Sequence, residues 1–412
     1  MVIRHDILSE IVPFIAKDVV KVITGIRRCG KSTLLEQIKD LIVNEIDPGA
    51  PFYSVNLDDE ANSEYLKSGV LFEKLEQILK ENESRMVYLF LDEIHDVEEW
   101  EKTVNSIRMR KNADIYITGS NSKLLSGELA TYLTGRYVEF GLSPFSFKEY
   151  LEAVREKDRE KAFWSYLEYG GMPFLTELDY RPAPSRRYLE DLYQAILLKD
   201  IVRRKNIRDV DLLSRIVRFV MTETGYVFSS KRIVDFLKHE KYETAPSTVL
   251  NYLRACEEAF LLTKVEREDL IGKRILAVDE KYYVMDSGLR NANVSADISR
   301  DVDQLLEVVV YREMIRRGYQ VTIGRVKTQE VDFVCQKGKD RLYLQVSYLM
   351  PTEETRRREF DALASVPDQY DKMVLSMDRF DFSERGIKHR YIPDFLVEGH
   401  AECKMENGKR KM

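Results

Sequence analysis

Residues 25–32 read Gly-Ile-Arg-Arg-Cys-Gly-Lys-Ser, residue types and spacing suited to cradling the phosphates of a nucleoside triphosphate. Gly25 and Gly30 permit positive φ and close backbone approach. The expected binding set is Gly25, Ile26, Arg27, Arg28, Cys29, Gly30, Lys31, Ser32 and Thr33. Their backbone N–H groups face an anion, helped by the partial positive charge of the helix start near Lys31. The Lys31 ammonium reaches the β- and γ-phosphates, and the Ser32 hydroxyl is offered to Mg²⁺. About sixty residues on, the apolar run Met86-Val-Tyr-Leu-Phe-Leu91 ends in Asp92-Glu93. Asp92 is expected in the Mg²⁺ shell, and Glu93 is expected to polarise the attacking water. A Gly-rich turn or a solvated Asp-Glu turn would each be the plainer reading of one motif, but neither accounts for both.

The flanking residues supply elements that would hold these groups. Val19, Val20, Val22 and Ile23 form a β-branched run before the loop, and Lys31-Ser-Thr-Leu-Leu-Glu-Gln-Ile opens a helical pattern, so strand, loop and helix come in the required order. The run 86–91 reads as a buried parallel strand whose C-terminal tip lies in the crevice beside the loop. A third strand, Asp114-Ile-Tyr-Ile-Thr118, leads into Gly119-Ser120-Asn121. Asn121, with Ser120 as the alternative, is placed to sense the γ-phosphate, unless both are turn or cap residues. Tyr132-Leu-Thr-Gly135-Arg136 precedes the strand-like Tyr137-Val-Glu-Phe140. Arg136 is either an arginine finger that spreads charge over the γ-phosphoryl oxygens or an ordinary surface arginine.

Taken together, Gly25 to Ser32, Leu91-Asp-Glu93, Ile117-Thr-Gly-Ser-Asn121, Leu133-Thr-Gly-Arg136, Leu142-Ser-Pro-Phe-Ser-Phe-Lys-Glu149, Tyr169-Gly-Gly-Met-Pro-Phe174 and Val331-Asp-Phe-Val334 resemble the AAA+ superfamily. The likeness is to a prokaryotic group of P-loop ATPases that carry a C-terminal domain of unknown function, and it covers roughly residues 5 to 395. It implies an ATPase with ATP and Mg²⁺ as cofactors.

The chain has 412 residues and four scattered cysteines, Cys29, Cys256, Cys335 and Cys403. That length predicts two to four domains. The cysteines lack metal-site spacing and suit a reducing compartment. No apolar stretch approaches a membrane span and no signal pattern opens the chain, so a cytoplasmic protein without membrane association is expected. Cys29 is either an oxidisable thiol or a small residue tolerated in the loop. A net charge of −6 does not advertise a nucleic-acid protein. The basic clusters Arg203-Arg-Lys205 with Arg208, Arg316-Arg317 and Arg356-Arg-Arg358 are local candidates, or solvated helix faces.

The fold expectation is α/β, with a P-loop parallel sheet over 1–146. Residues 147–210 read as a helical lid, with apolar positions at helical spacing broken by Gly170-Gly171, Pro182 and Pro184. Residues 211–290 read as a winged helix of three short helices followed by the strands 261–265 and 275–278. Its third helix would offer Ser247, Thr248, Asn251 and Arg254 to a DNA major groove, although residues 229–275 hold nine Lys and Arg against eight Asp and Glu. Residues 301–395 look like the PD-(D/E)xK nuclease fold through Glu307 and Asp332. Where that family has Glu-x-Lys, this chain has Gln345-Val-Ser347, which removes one carboxylate and the activating lysine. Residues 396–412 are expected to be a disordered tail.

The expected function is Mg²⁺-dependent ATP hydrolysis that drives a conformational change in the C-terminal domains, with double-stranded DNA, a protein or further copies of the chain as candidate partners. The alternatives are a slow nucleotide-gated switch serving as regulator or defence sensor, and an ATP-gated DNA nuclease.

Overall fold

The computed structural model describes residues 2–122, 133, 135–227, 229–272, 274–294 and 298–398, with only the backbone considered at 68 and 277–279. Tyr132 and Thr134 of the Arg136 motif, Cys403 and nearly all of the expected tail lie outside the described residues. The chain forms two compact units: Met1–Pro144 with Glu258–Phe260, and Phe145–Glu257 with Leu261–Met412.

Among its described residues the first unit holds five strands, β1 (Val20–Thr24), β2 (Phe52–Asn56), β3 (Val87–Asp92), β4 (Ala113–Gly119) and β5 (Tyr137–Gly141). They are ordered β2-β3-β4-β1-β5 and every pairing is parallel. β1 and β3 are buried at every residue, as expected of a parallel sheet covered on both faces. The described helices include α1 (His5–Ile11), α2 (Lys31–Leu41), α3 (Ser68–Glu81) and α4 (Trp100–Arg108). One core gathers Leu71, Leu75 and Leu79 of α3, Val104 and Ile107 of α4, and Leu89 and Leu91 of β3.

Among the other buried groups is a polar cluster, in which the fully buried Lys21 of β1 pairs with Asp114 of β4. Asp114 also accepts from the Tyr116 hydroxyl and from the Ala16 N–H, both at 2.9 Å, and Lys21 donates to the Lys17 carbonyl at 3.1 Å. Each charge is paired and hydrogen-bonded, the condition under which buried ions are tolerated.

The second unit begins with α5 (Phe147–Ala153), α6 (Arg159–Tyr169) and α7 (Pro182–Ala195), then α8 (Val210–Thr222), α9 (Ser230–His239) and α10 (Pro246–Glu258). The hairpin β6 (Leu262–Asp269) and β7 (Arg274–Val284) follows, then α11 (Ser287–Asn293) and α12 (Val302–Arg316). The chain continues through β8 (Gln320–Val326), β9 (Gln329–Lys337), β10 (Asp340–Val346), α13 (Glu353–Ala364), β11 (Asp371–Ser376), β12 (Lys388–Tyr391) and α14 (Ile392–Val397).

Three helices and a hairpin stand where the winged helix was expected, but the hairpin is not a free wing. β6 pairs in parallel with β8 through Arg267↔Ile323, Glu268↔Gly324 and Asp269↔Arg325, giving one sheet ordered β12-β11-β10-β9-β8-β6-β7. The expected boundary between 290 and 301 therefore falls within a single sheet. A short strand run carries no local record of the neighbour that satisfies its edge, and here the partner lies some fifty residues away.

Gly170-Gly171 does not simply interrupt a helical pattern. Gly170 ends α6 with φ +74°, and a Cβ there would come within 2.1 Å of the Asp286 carboxylate. That carboxylate accepts from the N–H groups of Gly171 at 2.8 Å and Leu289 at 3.0 Å. Asn291 of α11 donates to the carbonyls of Leu167 and Glu168, while the fully buried Arg290 donates to the Met221 carbonyl and to Asp301. The short helix α11 thereby ties α6 to α8.

Candidate active site

The phosphate loop leaves β1 at Gly25 and closes at Gly30, which has φ 102° and precedes α2. A Cβ on Gly25 would stand 2.2 Å from the Leu142 carbonyl oxygen and 2.9 Å from Cys29 Sγ, so only glycine fits. Arg28 also takes positive φ, at 66°, and the Cys29 N–H donates to the Ile26 carbonyl at 3.3 Å. These turns bring successive N–H groups onto the start of a helix, the geometry of an anion cradle. Cys29 is fully buried, and burial pushes its thiol up, so it is the small loop residue and not a reactive thiolate.

Between β1 and β3 lies β4, so Asp92 reaches the loop edge across Thr118. Ser32 and Thr118 both hydrogen-bond the Asp92 carboxylate, and the Glu93 N–H donates to Thr118 Oγ1 at 2.9 Å. Lys31, nearly buried, donates to the carbonyls of Gly25 at 3.2 Å and Ile26 at 3.4 Å, and its ammonium lies 3.4 Å from Glu93 Oε1. Glu93 adopts left-handed backbone angles, φ 54° and ψ 46°, a strained setting for a non-glycine residue that the Thr118 bond helps to hold. His95 Nδ1 lies 3.3 Å from Glu93 Oε2, and its Nε2 lies 3.6 Å from Asp96 Oδ1.

The adjacent carboxylates are pushed in opposite directions. Burial raises the Asp92 carboxyl, the Ser32 and Thr118 hydrogen bonds only partly oppose it, and Glu93 adds to the rise. Burial also acts on Glu93, but the charges of Lys31, His95 and Arg27 outweigh it and hold Glu93 below the ordinary carboxylate range. A hydroxyl and a raised carboxylate already in contact form a hard-oxygen donor pair of the kind Mg²⁺ takes.

Thus Gly25, Gly30, Lys31, Ser32, Asp92 and Glu93 come together. Thr33 lies exposed on the first turn of α2. Ser120 and Asn121, both buried, leave β4 just after Gly119, whose register partner is Thr24, and so emerge at the loop's edge of the sheet. Arg136 does not join them within one chain. It is exposed at the N-terminal end of β5, where its carbonyl accepts from the Val20 N–H at 2.9 Å, and the loop begins after Thr24, about 13 Å along the strand. Parallel pairing puts strand starts and strand ends at opposite edges, so within its own chain Arg136 stands at the edge away from the loop.

Sequence reasoning passed over Thr118 and His95, although each lies in a quoted string or next to one. An inward hydroxyl on the intervening strand, and an imidazole three residues past Asp92, were the available signals.

The second constellation is also assembled, with an unforeseen member. Glu307 of α12 and Asp332 of β9 share a charge cluster with Lys281 of β7, whose ammonium lies 3.3 Å from Glu307 and 2.9 Å from Glu330. The Tyr283 hydroxyl donates to Glu307 at 2.6 Å, the Val346 N–H donates to Asp332 at 2.8 Å, and Gln345 accepts from the Asp332 N–H at 3.3 Å. Burial pulls Lys281 down, but Glu307, Asp332 and Glu330 together hold it charged. Burial drives the Asp332 carboxyl well above its usual range, and Glu307 adds to it. Lys281 and Asp332 are both buried, and a lysine supplies the positive charge this cluster needs.

One expected basic cluster turns inward. Arg316 and Arg317 both grip Glu313 of α12, and Arg317 also donates to the Phe395 carbonyl at 2.6 Å. Arg357 and Arg358 of another stay exposed on α13, a solvated helix face, with Arg358 pairing with Glu359 at 2.8 Å.

A phosphate loop on a five-stranded parallel sheet, with a Ser–Asp pair and a neighbouring glutamate at one edge, defines a P-loop nucleotide-binding ATPase fold. Residues 17–151 match the AAA domain family and residues 160–301 match a domain of unknown function. An uncharacterised protein of Haemophilus influenzae is 34% identical over 403 residues, spanning 97% of this chain and 99% of that protein. An uncharacterised protein of Methanocaldococcus jannaschii is 28% identical over 378 residues, spanning 88% and 80%. The chain belongs to this family of AAA-domain proteins. Among solved structures, a Walker-type ATPase of Pyrococcus abyssi is similar over 70% of this chain and 95% of that one, with 15% identity and a TM-score of 0.48, too loose a likeness to assign a role. No helix among the described residues is long and apolar enough to cross a membrane.

Proposed function

We propose that the chain binds ATP with Mg²⁺ at the 25–33 loop and hydrolyses it, and that the state of the γ-phosphate is passed to the second unit. The observation that carries this reading is the convergence of Lys31, Ser32, Asp92, Thr118 and Glu93 at one sheet edge. Ser32 and Asp92 would hold Mg²⁺, which neutralises charge on the phosphate oxygens. Lys31 exchanges Glu93 for the β- and γ-phosphates. Glu93, ionised, then accepts a proton from the attacking water as its oxygen bonds to the γ-phosphorus and the bond to the β–γ bridging oxygen breaks, releasing ADP and phosphate. Asn121, or else Ser120, contacts the γ-phosphate, and Arg136 serves a neighbouring copy.

In the second unit, residues 147–210 act as the lid, α8–α10 act as a winged-helix module, and the sheet from Asp301 onward is a nuclease-like scaffold. DNA association through α10 is supported by its exposed Ser247, Asn251 and Arg254, which lie on one helix face.

A second reading, a slow nucleotide-gated switch, is favoured by the Lys31–Glu93 pair, because the base must be released before it can act. ATP turnover with and without double-stranded DNA, with Glu93→Gln as the blank, separates the two. Stimulation by DNA supports a DNA-coupled ATPase, slow and DNA-indifferent turnover supports the switch, and no turnover above the blank refutes hydrolysis.

A further inference from the structure

Arg4 is remote in sequence from every motif of the site, yet it is buried, 7% exposed, beneath the phosphate loop. Its Nη2 donates to the Ser143 carbonyl at 2.8 Å, and its Nη1 lies 3.5 Å from the carbonyl of Cys29, inside the loop. Its backbone is fixed as well: the Arg4 N–H donates to Gln37 Oε1 at 3.1 Å, and Gln37 Nε2 donates to the Val2 carbonyl at 2.8 Å. Gln37 lies on α2, the helix that begins at Lys31.

The segment Arg4 grips is the one the loop rests on. The Leu142 N–H donates to the Thr24 carbonyl at 2.7 Å, and the Leu142 carbonyl is what forbids a side chain at Gly25. Ser143 is the next residue, and Pro144 is the last of this stretch of the first unit. One guanidinium therefore spans the loop, at Cys29, and the strand exit against which the loop packs. A planar fork of donors suits two carbonyls at a fixed separation, whereas a lysine offers a point charge on a flexible stem. Its positive charge also lies on the inner side of the loop, and the Cys29 thiol feels it.

We infer that Arg4 is a positioning residue for nucleotide binding, holding the phosphate loop in register with the 142–144 segment and adding positive charge behind it. The inference rests on the ATP reading above and names a residue that reading does not use.

The test measures binding of a fluorescent ATP analogue, with Mg²⁺, to the wild-type chain, Arg4→Lys and Arg4→Gln, together with turnover and thermal unfolding of each. Loss of a charge-assisted bond predicts that Arg4→Gln weakens binding about tenfold or more. Arg4→Lys, which keeps the charge without the fork, is expected to fall between the two, and the folded Arg4→Gln protein at saturating ATP is expected to keep most of its turnover. Variants that unfold earlier but bind with wild-type affinity would reduce Arg4 to a structural brace and overturn the inference. Equal loss in Arg4→Lys and Arg4→Gln would overturn the charge contribution. A wild-type chain that fails to bind ATP refutes the ATP reading and this inference with it, whereas tight wild-type binding with indifferent Arg4 variants refutes this inference alone.

Discussion

Replacing Glu93 by Gln removes one negative charge while leaving shape and neighbours nearly unchanged, and the structure sets two opposite consequences. Losing a general base costs about 10²- to 10⁴-fold in turnover. Binding should move the other way. Lys31 and Glu93 stand 3.4 Å apart, a separation at which unit charges attract by about 5 kcal/mol at an effective dielectric of about 20. Lys31 must forgo part of that attraction on reaching for phosphate. Glu93 is 20% exposed and Lys31 only 4%, so solvent screens the pair partly, and a small fraction of the attraction, about 1.4 kcal/mol, already amounts to tenfold in affinity. The expected result is a Glu93→Gln chain that binds the fluorescent ATP analogue as tightly as wild type or up to about tenfold more tightly, with turnover reduced by at least a hundredfold. Stopped-flow binding with single-turnover hydrolysis measures both. Turnover within threefold of wild type would remove Glu93 from its role, and weaker binding would show that the Lys31 pair does not compete with phosphate.

Three further outcomes are expected. Arg136→Ala should abolish most turnover while leaving nucleotide affinity unchanged, and wild-type specific activity should rise with protein concentration because the residue lies at the far edge of its own sheet; activity independent of concentration would leave Arg136 a surface residue. Asp286, whose carboxyl burial pushes up to about 6, favours the folded state most when protonated: that contribution is present below about 3.8, is lost as pH rises through about 6, and at 1.36 kcal/mol per pKa unit amounts to about 3 kcal/mol. Denaturant titrations from pH 4 to 7 should show that slope in wild type and not in Asp286→Asn, and an identical slope in both would refute the assignment. Lys281→Met should destabilise the second unit by about 3–5 kcal/mol, because it leaves buried carboxylates without their cation; an unchanged denaturation midpoint would show that the cluster balances its charge another way.

The phosphate loop and the 86–93 strand were legible because their chemistry is local: a glycine at each end of the turn, a lysine at the helix start, and a carboxylate pair at the tip of a strand buried at every residue. Positions that depend on strand order were not. Thr118 matters only because β4 lies between β1 and β3, and Arg136 is displaced only because β5 pairs in parallel with β1. Neither order nor pairing is written in the composition of a five-residue run. Lys281 shows the same limit more sharply. The lysine expected on β10 beside Glu307 and Asp332 is missing, yet a lysine from β7 pairs with Glu307 and its charge acts on Asp332. The glycine pair 170–171 was read as a helix interruption, while the residue that requires it, Asp286, lies over a hundred positions later.

Two adjacent carboxylates on one strand end would titrate alike in water, so their division of labour must come from what surrounds them. Asp92 is the last residue of β3 and faces hydroxyls from Ser32 and Thr118, partners that orient an acceptor without bringing a positive charge. Its raised carboxyl is therefore short of a cation, and the hard-oxygen pair it makes with Ser32 is suited to one. Glu93 turns away from the strand through a left-handed backbone and meets Lys31, His95 and Arg27, so it stays ionised and ready to accept a proton. The strain at φ 54° is what separates the two environments: a Glu93 in extended backbone would follow the alternation of the strand and point to the opposite face of the sheet from Asp92. The Thr118 hydroxyl, which donates to Asp92 and accepts from the Glu93 N–H, links the orientation of one carboxylate to the backbone turn that presents the other.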